Sequence, residues 1–128
     1  YDGKVGFSVI PDAANSLQLA NGARCTTGGV WTNASSREYK ENIADLSADQ
    51  ALLAFNKLNP VTFNYKVDAA EKHVGFIAED VPELVATPDR KALSTMDIVA
   101  VLTKVVQEQQ KTIADLNEKV TRLEQQVK

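Results

Sequence analysis

From Val99 to the end of the chain, apolar residues recur with a strict seven-residue period. Val99, Val106, Ile113, Val120 and Val127 fall at position a, and Leu102, Gln109, Leu116 and Leu123 fall at position d, so eight of the nine seam positions are apolar. An apolar repeat of 3.5 residues held over successive heptads winds a helix into a left-handed supercoil with partner helices. The 29 residues from Val99 to Val127 make a rod of about 43 Å at ~1.5 Å per residue. Ser94 and Asp97 supply the S-x-x-[DE] pattern of a helix start. The rest of the chain holds no helical pattern of comparable length, so the stripe is expected to be buried by other helices rather than folded back on its own domain. β-branched residues at a with Leu at d are the usual pattern of parallel dimers. The flanking e and g positions are mostly uncharged (Thr103, Gln110, Asn117; Val105, Thr112, Gln126), and Val105 at g widens the seam. Spacing alone does not separate dimer from trimer, and Gln109 at d is a candidate for setting register.

Two further segments precede this helix, each with its own periodicity. Residues 1–34 read as short apolar pieces broken by turn formers: Val5-Gly6-Phe7, Pro11-Asp12, then Leu17 and Leu19 before Asn21-Gly22. Short strands with so little apolar surface are marginal alone, so this β-rich stub is expected to need neighbours from other chains. The first residue is Tyr1 rather than Met, which is expected of a piece cut from something longer. Residues 35–95 read as a compact α+β unit. Ser47 and Gln50 form a capping-box signature, and Leu52, Leu53, Phe55 and Leu58 follow before Asn59-Pro60 stops the helix. Val61, Phe63, Tyr65 and Val67 then alternate with polar residues in the period-2 pattern of a half-buried strand. A turn over residues 68–71 and a second strand over 73–78 complete an expected antiparallel hairpin, and residues 79–85 suggest a short helix with Pro82 in its first turn. The expected fold class is therefore α+β: a small β-stub (1–34), a helix-plus-hairpin core (35–95) and a long C-terminal coiled-coil helix (96–128).

Charge narrows the partners. The net charge of −3 divides as zero over residues 1–34, −3 over 35–95 and zero over 96–128, so no segment is basic enough to suggest nucleic acid. No apolar stretch approaches the roughly 20 residues needed to span a bilayer, and no signal peptide is visible at the start. Cys25 and His73 are each alone of their kind, which argues against an internal disulfide, a cysteine-based zinc site and any cofactor.

Three stretches resemble a known family, the intramolecular chaperone and auto-processing domain of endosialidase, found at the C-terminus of phage tail spikes and fibres. The first is Ser35-Ser36-Arg37-Glu38-Tyr39-Lys40-Glu41-Asn42-Ile43, similar to the family's opening Ser-Asp-x-x-x-Lys-x-Asn-Ile. The second runs from Leu58-Asn59-Pro60-Val61 through His73-Val74-Gly75-Phe76-Ile77-Ala78-Glu79 to Pro82-Glu83-Leu84-Val85, and the third is Val106-Gln107-Glu108-Gln109-Gln110 leading into the heptads. The resemblance implies a homotrimer in which this domain assists folding of the upstream fibre or spike, in the host cytoplasm during virion assembly. It also implies release by cutting the bond between Ala34 and Ser35. Two positions depart from the family pattern: Ser36 replaces an Asp, and Glu79 replaces a Gln.

The same resemblance singles out Ser35 and Lys40 as a catalytic dyad, with Ser36, His73 and Glu79 as candidate supporting residues. A serine hydroxyl needs a base to take its proton, and a lysine can act as one where burial lowers its pKa towards about 7–8. Ser35 follows the bond to be cut, so its hydroxyl could attack the Ala34 carbonyl, leaving an ester for water to hydrolyse. Five residues rotate a side chain by about 140° on a helix, and an odd offset puts two side chains on opposite faces of a strand. Ser35 and Lys40 can therefore meet only if the chain bends between them or if subunits share the site. A histidine at a strand start, as His73 is, is more often a structural residue than a catalytic one. Two other functions compete: a permanent trimeric cap or receptor-binding tip that never cuts, and a dimeric coiled-coil adaptor.

Overall fold

The computed structural model describes residues 5–7 and 13–127. The chain forms two compact units, Tyr1–Ala44 and Asp45–Lys128. In the first unit, β1 (Val5–Phe7), β2 (Asn15–Leu19), β3 (Arg24–Thr26) and β4 (Trp31–Thr32) form one sheet in that order. β1 runs parallel to β2, while β2–β3 and β3–β4 are antiparallel. The turn read at Asn21-Gly22 is present, with Gly22 at φ +89°, a conformation in which a side chain would be strained. The turn read at Pro11-Asp12 lies outside the described residues. Among the residues of this unit whose burial is described, only Asn15 on β2 and Ala23, just before β3, are buried, in keeping with its scant apolar content.

The second unit begins with α1 (Ala48–Lys57), and both halves of its capping box form. The Gln50 amide N–H donates to Ser47 Oγ at 3.2 Å, and the Ser47 N–H donates to Gln50 Oε1 at 3.4 Å. β5 (Val61–Tyr65) and β6 (Asp68–Gly75) follow as an antiparallel hairpin in which Phe63 faces His73. The expected turn over 68–71 is replaced by a tighter one at Lys66-Val67, and β6 starts at Asp68 and ends at Gly75 rather than at residue 78. The Asn64 side chain explains the shift. Its amide donates to the Ala69 and Glu71 carbonyls, at 3.1 and 2.6 Å, and fastens those residues into the ladder beside an irregularity between Phe63 and Tyr65.

The helix expected over 79–85 is also corrected: a turn is followed by a single 3₁₀ turn at Glu83–Val85, capped by Pro82. The carbonyls of Glu79 and Val81, which an α-helix would have paired with the Glu83 and Val85 N–H groups, accept from the Arg90 guanidinium, at 3.3 and 2.9 Å. Arg90 also pairs with the Glu83 carboxylate. One side chain thus takes up the backbone groups that a helix would have used.

α2 (Thr95–Gln126) is a single helix of 32 residues, long enough to reach about 48 Å. Ser94 stands at its N-cap without a side-chain hydrogen bond, so the capping box read from Ser94 and Asp97 does not form. α1 packs on the first turns of α2, and Ala54, Val81, Val85, Ile98 and Val101 make the core, with Leu46, Leu58, Phe76, Ala86 and Leu93 against it. The residues that α2 buries are Ile98, Val101 and Val105, at heptad positions g, c and g. The a and d residues lie on another stripe and stay open to solvent, from Leu102 at 39% exposed to Val127 at 87%. The helix therefore carries two apolar stripes at its start. One builds its own domain, and the heptad stripe is left unoccupied.

Candidate functional site

β4 ends at Thr32 and the chain runs on without regular structure to Ser36. Ser36 then caps a one-turn 3₁₀ helix at Arg37–Tyr39, its Oγ accepting from the Glu38 N–H at 3.3 Å. The Tyr39 and Lys40 N–H groups donate back to the Ser36 and Arg37 carbonyls, at 3.2 and 3.1 Å, and close the turn. The bend returns Lys40 to Ser35, and Lys40 Nζ donates to Ser35 Oγ at 2.7 Å. The bend that the spacing demanded thus occurs within one chain, so a subunit need not lend either group. Ser and Asp are both strong N-cap residues, so Ser36 can keep the cap where the resembled motif has Asp.

A residue that the sequence did not single out borders this segment. A Cβ built on Gly22 would lie 3.4 Å from the Ala34 Cβ and 3.8 Å from the Tyr39 ring, so the turn between β2 and β3 abuts both ends of the Ser35–Lys40 bend. Asn21-Gly22 is recognisable as a turn from sequence. Nothing in the sequence tells which segment that turn lies against.

Ser35 and Lys40 are both exposed. The contact brings the two groups together, and base chemistry at a lysine requires burial that disfavours the ammonium.

The remaining sequence candidates belong to the second unit. His73 is half-buried on β6, stacked on Phe63 with centroids 5.7 Å apart and edge-on to Tyr65 at 5.1 Å. Glu79 is exposed at the rim of a cleft of about 440 Å³ lined by Phe63, Tyr65, Phe76 and Leu93 among others. The histidine is part of an aromatic cluster, and the Glu79 carbonyl accepts from the Arg90 guanidinium. The sequence does not single out Arg90, since an arginine in a turn carries no signal in one sequence; the fold leaves it half-buried. Among the described residues, no group of three or more His, Cys, Asp and Glu side chains could hold a metal ion, and no helix is long and apolar enough to cross a membrane.

Residues 35–89 match the family model described as the chaperone of endosialidase, which is also named as a peptidase. The match covers the Ser35–Lys40 bend, α1, the hairpin and the 3₁₀ turn after it, and stops short of α2. No curated protein and no solved structure matches the chain. Over residues 35–89, then, this chain carries an endosialidase-type chaperone domain.

Proposed function

We propose that the chain is an intramolecular chaperone that drives homotrimerisation and folding of an upstream fibre or spike, and then cuts itself free between Ala34 and Ser35. Its partners are two further copies of itself and the fibre portion of its own chain. It uses no cofactor and binds neither nucleic acid nor membrane. It acts in the host cytoplasm while the tail fibre or spike of a virion is assembled. The observation that carries the reading is the 2.7 Å contact between Lys40 Nζ and Ser35 Oγ, at the residue where the family match begins.

The chemistry runs through that pair once it is desolvated. Lys40, as the free amine, takes the hydroxyl proton as Ser35 Oγ attacks the Ala34 carbonyl carbon. The C–N bond to Ser35 then breaks, and its nitrogen leaves as an amine by taking a proton back from Lys40. The ester so formed joins the Ala34 carboxyl to Ser35 Oγ. Water hydrolyses it to the Ala34 carboxylate and a free Ser35 hydroxyl. Because the pair stands in solvent in a single chain, cutting waits on an environment that buries it, which makes assembly the trigger.

The exposure of the same pair favours the competing reading, a permanent trimeric cap or receptor-binding tip that is never cut. Intact-mass measurement on the 128-residue chain and on Ser35→Ala and Lys40→Met variants separates the two. Fragments 1–34 and 35–128 from the parent chain, absent from both variants, are expected. Full-length mass from all three under assembling conditions would sink the cleavage reading and leave the cap.

A further inference from the structure

We propose that copies of this chain associate through α2 in parallel and in unshifted register, with Lys119 of one copy paired to Glu124 of the next. This rests on the self-association put forward above and adds orientation and register to it.

Among positions e and g of the heptads that α2 carries, Met96, Thr103, Gln110, Asn117, Ile98, Val105, Thr112 and Gln126 are uncharged, and only Lys119 (g) and Glu124 (e) carry charge. They have opposite signs and stand five residues apart. In a parallel pair of helices, g of one heptad faces e of the following heptad on the neighbour, which is that separation. The two residues are also available. The ion pairs along α2 join Lys104 and Lys111 to Glu108 and Arg122 to Glu118, all at positions c and f on the side away from the seam. Among the described residues, neither Lys119 nor Glu124 makes an ion pair, and both are exposed. They lie in the C-terminal half of α2, beyond Ile98, Val101 and Val105, the last residues it buries in its own domain.

Gln109 points the same way independently. In a parallel unshifted assembly, d residues meet d residues, so Gln109 meets its own copies, and a carboxamide can both donate to and accept from another. An antiparallel seam sets d against a, where every partner is Val or Ile, and a shift of one heptad sets Gln109 against Leu102 or Leu116. Either arrangement strands a polar amide in an apolar layer. The same one-heptad shift moves Glu124 away from Lys119 and, in one direction, sets the uncharged Asn117 in its place.

The test uses the full chain with Cys25→Ser, so that introduced thiols are the only ones. Leu123→Cys (d) and, separately, Val127→Cys (a) are oxidised mildly and run on non-reducing gels, while light scattering gives the mass of the parent. Disulfide-linked chains at both positions are expected, because unshifted parallel helices bring like residues together. A parent with the mass of one chain would overturn the self-association reading itself. A parent oligomer that links at neither position would overturn the orientation and register alone. Lys119→Glu and Glu124→Lys are each expected to raise the concentration of half-association several-fold, in a manner damped by salt, and the double reversal to restore it. A double reversal as weak as the single variants would overturn the pairing.

Discussion

The two apolar stripes of α2 lead to a prediction in which one helix shows two separate kinds of stability. Val101 is 2% exposed in the domain core, whereas Leu116 is 52% exposed on the heptad stripe. Val101→Ala removes two buried methyl groups, worth about 0.8 kcal/mol each in transfer, and the cavity left behind raises the loss to about 2–3 kcal/mol. For a domain of this size each kcal/mol is worth roughly 4–8 °C, so the melting temperature is expected to fall by about 10–20 °C. That fall is present at every protein concentration, since the contact lies within one chain. Leu116→Ala exchanges two good helix formers and costs a single chain only a few tenths of a kcal/mol. In an assembled seam it removes about 2–3 kcal/mol per chain, and the loss shows only where chains associate. Thermal unfolding by circular dichroism over a ~100-fold range of concentration, with light scattering for mass, resolves the two. The reasoning is refuted if Leu116→Ala lowers the melting temperature equally at all concentrations, or if Val101→Ala leaves it unchanged.

Three further perturbations address the site and the ends of the helices. Gly22→Ala puts a methyl group 3.4 Å from the Ala34 Cβ at a backbone φ of +89°, so cleavage should slow while the oligomer mass is kept; an unchanged time course by intact mass would contradict this. Ser47→Ala removes both capping-box hydrogen bonds and should cost about 1 kcal/mol, read as a lower urea midpoint, whereas Ser47→Asp should retain most of the stability. The Lys111 ammonium, and then that of Lys104, hold the Glu108 carboxyl below its ordinary value of 4.5. A depressed carboxylate stabilises the fold above the unfolded value and ceases to do so as pH falls through the folded one. Glu108→Gln should therefore flatten the acid limb of stability below about pH 5 and leave the neutral side parallel to the parent, and an acid limb as steep as the parent's would count against the ion pairs.

How much of this was legible in the sequence differs from element to element. A helix spanning the heptads follows from periodicity alone, because eight apolar residues at a and d leave no other way to put them on one face. α1 was equally readable, since Ser47, Gln50 and Asn59-Pro60 act on their nearest neighbours along the chain. Where a partner distant in the chain intervenes, local reading failed. Asn64 set the start of β6 by bonding to Ala69 and Glu71, and Arg90 drew off the Glu79 and Val81 carbonyls that a helix over 79–85 would have needed.

The candidate site divides in the same way. Sequence by itself determined that Ser35 and Lys40 could meet only through a bend or a shared site, since five residues of helix or strand keep them apart. Tertiary structure decided between those routes, through the Ser36-capped turn that closes on a 2.7 Å contact, and set the Gly22 turn against its ends. It also decided which apolar stripe of α2 belongs to the domain. Ile98, Val101 and Val105 differ in no local property from Val99, Leu102 and Val106, and only the position of α1 and the loop after the hairpin makes one set a core and leaves the other for a partner.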